Sequence, residues 1–276
     1  MDTARPSAHD ASQPAAPATP LLPPSEWGRV ILVGAGPGDA ELLTLKAARV
    51  LASARVVLYD NLVSDEVLRL IPQDAERIYV GKRSSNHTLP QEGIIELMVR
   101  LAKAGKSLVR LKGGDPYIFG RGGEEAEALA SEGISCETVP GISAAQGASA
   151  STGIPLTHRD HAAMLVFATG HLQGEGEERM VALDWAALAR PHQTVVIYMG
   201  VGTLPVICAK LVEHGLSGHT PAALVERATR PDQRTIVGTL ETLPALSVKH
   251  GVHPPALIMI GDTVSLQERI GGPALR

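Results

Sequence analysis

The sequence predicts an α/β protein built from two units. From Arg29 onward, short β-branched runs alternate with amphipathic helical stretches, the pattern of a largely parallel sheet covered by helices. A Gly- and Pro-bearing loop, Thr152-Gly-Ile-Pro-Leu-Thr-His158, breaks that alternation midway. A length of 276 residues suits two ordinary cores better than one. The expected division is a Pro/Ala-rich disordered tail over 1–26, one α/β unit over 27–151 and a second over 152–276.

The first half holds five strand candidates: Val30–Val33, Arg55–Tyr59, Arg77–Val80, Ser107–Leu111 and Ser135–Val139. Helices are expected over Glu41–Ala52, Gln91–Ala104 and Gly123–Ser131, the last rich in Ala and Glu. In the second half, strands are expected at Met164–Ala168, Thr194–Met199, Ala222–Val225, Thr235–Val237 and Ala256–Ile260. Helices near Trp185–Ala189 and Leu204–His214 separate the first of these. A mixed sheet is expected there, and its pairing order is not readable from the sequence.

Composition excludes several classes. Hydrophobic residues at 44% and charged residues at 20% describe a globular chain, and a net charge of -4 argues against capture of nucleic acid. Cys136 and Cys208 form neither a CxxC pair nor a disulfide framework, which fits a reducing cytoplasm. No apolar run approaches the roughly 20 residues that span a bilayer, and the first 25 residues lack the features of a secretory signal. Only a short Pro-rich tail precedes the first strand, so a single activity is expected.

The first strand runs into Gly34-Ala-Gly-Pro-Gly-Asp39, which resembles a phosphate-binding turn. A dinucleotide fingerprint would place its third Gly at position 39, where Asp39 would repel a pyrophosphate and Pro37 removes an amide donor. Asp60 does stand about 20 residues on, where a ribose-binding acid would sit, so a nicotinamide enzyme is the competing reading. Asp60, Lys82 and Gly113-Gly-Asp115 each follow a predicted strand. In a parallel sheet they emerge on the same carboxyl edge as the Gly34 loop, the edge at which open α/β sheets bind ligands. The most distinctive segment is Leu111-Lys-Gly-Gly-Asp-Pro-Tyr-Ile-Phe-Gly-Arg-Gly-Gly-Glu-Glu125. Its paired glycines allow close backbone approach, Asp115 offers an anchor and Arg121 a fixed cation.

Taken in order, Val33–Asp39, Leu42–Lys46, Tyr59–Val63, Arg110–Pro116, Phe119–Glu125 and Val139–Ile142 resemble the motifs of uroporphyrinogen-III C-methyltransferases. Ile154–Arg159, Ala168–His171 and Tyr198–Gly200 extend the resemblance into the second half, so it covers Arg29 to about Ile270. It implies two α/β domains of the tetrapyrrole methylase type, with the active site in the cleft between them. The implied reaction methylates carbons 2 and 7 of uroporphyrinogen III with S-adenosylmethionine, giving precorrin-2 for sirohaem, cobalamin or haem d1. A homodimer is implied as well.

Carried over by motif, the donor contacts Pro37, Gly113, Gly114, Asp115, Ile118, Ser143, Ala144, Met199 and Ala228. Ser143 replaces a more usual Thr, and Ala228 a more usual Gly. Asp60 takes the place of proton acceptor and Lys82 that of proton donor, with Arg121 and Glu124 orienting the substrate or sharing the proton transfer. Because the substrate carries many carboxylates and the chain is slightly acidic, local cations must collect. Lys82, Arg83, His158, Arg159 and His171 are the candidates. His158 and His171 show no metal-ligand spacing, so no metal is expected. With aromatics at 3%, a stacking pocket for the macrocycle is not expected. A third reading, a catalytically silent tetrapyrrole carrier, would have little use for a complete donor loop.

Overall fold

Five consecutive residues of Val30–Gly34 (β1) are buried, as a strand must be when helices cover both faces of its sheet. The computed structural model describes residues 22–81, 89–171 and 181–271. In it, β1 lies among Val56–Tyr59 (β2), Glu76–Tyr79 (β3), Leu108–Lys112 (β4) and Cys136–Val139 (β5). The order is β3-β2-β4-β1-β5, every pairing parallel. Alternate residues face opposite helix layers. Ile31, Val33, Val57, Val109 and Leu111 pack against Leu45–Ala52 (α1) and Asp65–Leu68 (α2). Val30, Leu32, Val56, Leu58 and Leu108 pack against Gln91–Lys103 (α3) and Gly122–Ser131 (α4). Each fully buried Leu or Val contributes about 1.5–3 kcal/mol.

The second sheet is mixed. Met164–Thr169 (β6) runs parallel to Gln193–Tyr198 (β7), while Ala256–Ile260 (β10) is antiparallel to β7 and to Pro221–Glu226 (β8). Arg234–Thr239 (β9) closes the order β6-β7-β10-β8-β9. Ala144–Thr152 (α5) precedes this sheet in the chain and packs on one of its faces, with Ala145, Ala148 and Ile154 against Val196, Ala223, Val225 and Met259. Trp185–Leu188 (α6), Leu204–Glu213 (α7) and Leu243–Lys249 (α8) cover the other face, and Gln267–Ile270 (α9) ends the described chain. Among the described residues no helix is long and apolar enough to cross a membrane.

Local chemistry explains where the elements differ from expectation. The helix expected over Glu41–Ala52 starts at Leu45, because the Thr44 side chain accepts from the Ala47 amide and caps it. Residues Ala40–Leu42 form a separate 3-10 turn. The sequence reading missed α5, whose small residues carry little apolar periodicity. It is started instead by a capping box, Ser143 with Gln146, and ended by Gly153 at φ 73°. Residues 22–26, placed in the tail by composition, include a 3-10 turn at Pro24–Glu26. They join the end of α3 through the Leu22 amide on the Lys103 carbonyl, at 3.1 Å.

Candidate functional site

At the carboxyl ends of β1 and β4 the chain diverges. The connection after β1 leads to α1 on one face of the sheet, and the connection after β4 leads to α4 on the other. Such a switch point opens a crevice. The loops there are locked together. Gly36 and Gly114 exchange backbone hydrogen bonds of 3.2 and 2.7 Å, and the Ala35 amide donates to the Lys112 carbonyl at 2.7 Å. A Cβ on Gly34 would stand 2.7 Å from the Gly114 oxygen and 2.5 Å from the Gly141 nitrogen, so three loops meet where no side chain fits. Asp115 ties the same loops. One of its carboxylate oxygens accepts from the Tyr117 amide at 2.9 Å, and the other accepts from the Gly141 amide at 3.0 Å. It therefore clamps the β4 and β5 loops together.

Beside this junction lies a charged network. Arg110 and Lys112 project from β4 toward the α3/α4 layer and are 3% and 4% exposed, while Glu125 on α4 is 0% exposed. Glu125 Oε1 accepts from Lys112 Nζ at 2.9 Å, Gln91 Nε2 at 3.0 Å and Arg110 Nε at 3.3 Å. Glu125 Oε2 is buried without a partner among the described residues. Burial, then the neighbouring Arg110, holds the Lys112 ammonium pKa below its ordinary value, against the opposing pull of Glu125. Arg110 Nη2 also reaches Asp60 Oδ2 at 3.3 Å, and Asp60 Oδ1 accepts from the Leu62 amide at 3.0 Å. Both oxygens of Asp60 are thus engaged from within the chain.

The second sheet supplies the opposite wall. The Ala145 amide donates to the Tyr198 hydroxyl at 3.1 Å, and the Tyr198 ring lies 4.8 Å from that of Phe119 and 5.8 Å from that of Phe167. Burial raises the Tyr198 phenol pKa above its ordinary value. Both phenylalanines of the chain therefore gather here, packed against Tyr198. Met199, at φ 54° and 53% exposed, stands at the carboxyl end of β7, and Phe119 is also held at positive φ. From the β8–β9 loop, Thr229 Oγ1 accepts from the Asp39 amide at 3.1 Å. On α5, a Cβ on Gly147 would lie 2.5 Å from Pro37.

These contacts bring together the five loops that carry Pro37; Gly113, Gly114, Asp115 and Ile118; Ser143 and Ala144; Met199; and Ala228. Glycine backbone and small side chains gathered in this way leave room for a ligand held largely by main-chain groups. Arg121, at φ 58°, begins α4 and pairs with Glu124 at 2.6 Å, both about half-exposed. The hydrogen bond to Arg121 lowers the Glu124 pKa.

Of the remaining expected cations, those among the described residues do not converge within the chain. His158 and Arg159 precede β6, whereas His171 follows it, so a strand of six residues, roughly 20 Å, separates them. His158 Nδ1 accepts from the Asp160 amide at 3.1 Å, and its ring lies 4.8 Å from that of His161. Lys82 and Arg83 lie outside the described residues. No group of three His, Cys, Asp or Glu among the described residues could hold a metal ion. The sequence reading missed Arg110, Lys112 and Glu125 as members of a network. Two cations alternating on a strand, ahead of a helix that opens with two glutamates, was the available signal.

Solved structures share this architecture. Uroporphyrin-III C-methyltransferase from Thermus thermophilus, in complex with S-adenyl homocysteine, is 44% identical. The match covers 87% of this chain and 100% of that one, with a TM-score of 0.72. A cobalt precorrin-4 methyltransferase of cobalamin biosynthesis is 27% identical over 88% of this chain and 98% of that one, with a TM-score of 0.74. Fold and neighbours define a methyltransferase. The family model of the tetrapyrrole (corrin/porphyrin) methylases matches residues 29–244, and the chain belongs to that S-adenosylmethionine-dependent family. A siroheme synthase of Thioalkalivibrio sulfidiphilus is 55% identical over 88% of this chain and 49% of its own length. The chain spans about half the length of the siroheme synthases it matches.

Proposed function

We propose that this chain methylates uroporphyrinogen III at carbon 2 and then carbon 7, forming precorrin-1 and then precorrin-2. The observation that carries this reading is the meeting of five loops, from both sheets, around the Gly34–Gly114–Gly141 junction. In the proposal Pro37, Gly113, Gly114, Asp115, Ile118, Ser143, Ala144, Met199 and Ala228 hold S-adenosylmethionine, mostly through backbone and apolar surface. When bound, the donor supplies an electrophilic methyl on a sulfonium that leaves readily. The protein's task is then alignment and exclusion of water.

Asp60 is proposed as the acceptor of the proton that the methylated ring carbon must release, with Arg110 fixing its carboxylate. Arg121 and Glu124 orient substrate carboxylates at the mouth, where a guanidinium suits a carboxylate well. The product is proposed to serve sirohaem formation, in keeping with the name of the relatives. The test is the mass of the product formed from uroporphyrinogen III and S-adenosylmethionine. Two added methyl groups are expected, and an unmodified substrate overturns the reading.

A further inference from the structure

We propose that Arg230, on the β8–β9 loop of the second sheet, is a positioning residue for the Asp60 turn of the first. The inference rests on the reading of Asp60 as proton acceptor. Residues 60–63 form a tight turn in which Asp60 Oδ1 accepts from the Leu62 amide at 3.0 Å and the Asp60 carbonyl accepts from Val63 at 3.4 Å. The Leu62 carbonyl, left over by that turn, accepts from Arg230 Nη2 at 2.7 Å, across 168 residues of sequence. The carboxylate is fixed from the other side by Arg110 on Oδ2. One arginine from each sheet therefore holds this turn.

The path of the Arg230 side chain is built into the fold. Its stem crosses Gly38, where a Cβ would stand 2.7 Å from Arg230 Cγ and 3.1 Å from its Nε. Gly38, at φ 149°, leaves the groove that the stem occupies. The loop behind is braced: the Thr229 amide donates to Gln233 Oε1 at 2.6 Å, the Gln233 amide to the Arg230 carbonyl at 2.9 Å and the Arg230 amide to the Arg227 carbonyl at 3.1 Å. Arg227 and Thr229 are both held at positive φ, a conformation that persists only when its surroundings enforce it.

Stability alone does not account for this arginine. Its Nε is buried with no partner among the described residues. Partly desolvating a guanidinium in exchange for one hydrogen bond to a carbonyl is a poor trade, and a Met of similar length would fill the Gly38 groove at less cost. The gain is geometric. Ala228 and Asp60 become parts of one rigid assembly, so the loop at the proposed donor site and the turn bearing the proposed acceptor move together.

The test compares Arg230→Met, Arg230→Lys, Asp60→Asn and the Asp60→Asn/Arg230→Met double variant. Labelled methyl transfer to uroporphyrinogen III is measured alongside calorimetric binding of S-adenosylhomocysteine. Arg230→Met should lower kcat roughly tenfold or more, as expected when a reacting group is misplaced by a fraction of an ångström to an ångström. Cofactor affinity should stay within about twofold, since the Thr229 contact to Asp39 remains. Arg230→Lys should recover most of the rate, because a carbonyl accepts equally well from an ammonium. The double variant should be no slower than Asp60→Asn, because the arginine acts only through Asp60.

Normal turnover in Arg230→Met beside a slow Asp60→Asn overturns this proposal alone, whereas normal turnover in Asp60→Asn overturns the acceptor assignment and this inference with it. A lysine variant as slow as the methionine one, an equal loss of cofactor affinity, or a double variant slower by the full factor would each show a different role for Arg230.

Discussion

Adjacent glutamates at the start of α4 offer a sharp contrast in what burial does to a carboxylate. Among the described residues the half-exposed Glu124 pairs only with the half-exposed Arg121, whereas Glu125 is fully buried between Arg110 and Lys112. At an effective dielectric near 20, unit charges at the observed 2.9 and 3.3 Å attract by about 6 and about 5 kcal/mol. Desolvation of three ions offsets most of this. What remains measurable is the cost of removing one partner, about 3–5 kcal/mol, because the surviving charges stay buried. Glu125→Gln keeps the shape and one acceptor for Gln91, so it isolates the charge. It should destabilise by that amount, lowering the melting temperature by roughly 6–20 °C for a chain of this size. Glu124→Gln should shift stability by less than about 0.5 kcal/mol, as exposed pairs do. Urea and thermal unfolding of both variants measure the contrast. A Glu125→Gln protein within about 1 kcal/mol of the parent would refute the view that this carboxylate balances the two buried cations.

Other consequences are more local. Gly141→Ala places a methyl group 2.8 Å from the Gly34 Cα and against the Gly114 oxygen, a clash worth about 1–3 kcal/mol. It should weaken S-adenosylhomocysteine binding measured by calorimetry, and unchanged affinity would remove the glycine junction from the donor site. Tyr198→Phe takes away the acceptor of the Ala145 amide, so unfolding should become easier by about 1–3 kcal/mol. Arg121→Ala should leave the melting temperature nearly unchanged while reducing methyl transfer; full turnover would release Arg121 from the site. Burial pushes the Cys208 thiol from 9.0 up to about 12, so the folded thiol stays neutral where the unfolded one ionises. Its contribution to stability is therefore intact below pH 9 and declines as pH rises from 9 toward 12. The loss of stability in urea between about pH 8 and about pH 10.5 should be smaller in Cys208→Ala than in the parent.

How much of the structure was legible depended on how local its causes were. The strands of the first sheet begin and end within a residue or so of their expected positions, because buried parallel strands write themselves as short β-branched runs between turn residues. The placing of β10 between β7 and β8 is set by pairings about 30 to 65 residues apart in sequence, and α5 is set by a cap, so neither carried a periodic signal. The same held in the site. Glycine- and charge-bearing loops after each strand marked the carboxyl edge. The strand Leu-Val-Arg-Leu-Lys, by contrast, reads as ordinary alternation with its cations outward, and only the helix layer over that face turns Arg110 and Lys112 into buried partners of Glu125.

The loop Gly34–Asp39 shows why a glycine pattern needs its hydrogen bonds counted before a ligand is assigned to it. A phosphate-binding turn works by aiming free amides at an anion. Here the Gly36 amide is spent on Gly114, the Asp39 amide on Thr229, Pro37 has none, and the space over Gly38 is filled by the stem of Arg230. Two amides of the loop are thus spent within the chain and a third is missing, which counts against a pyrophosphate, and membership of the tetrapyrrole methylases sets the nicotinamide reading aside. The same contacts that close the loop to phosphate draw the two sheets together at its edge, which is the arrangement a phosphate-free adenosyl donor can use.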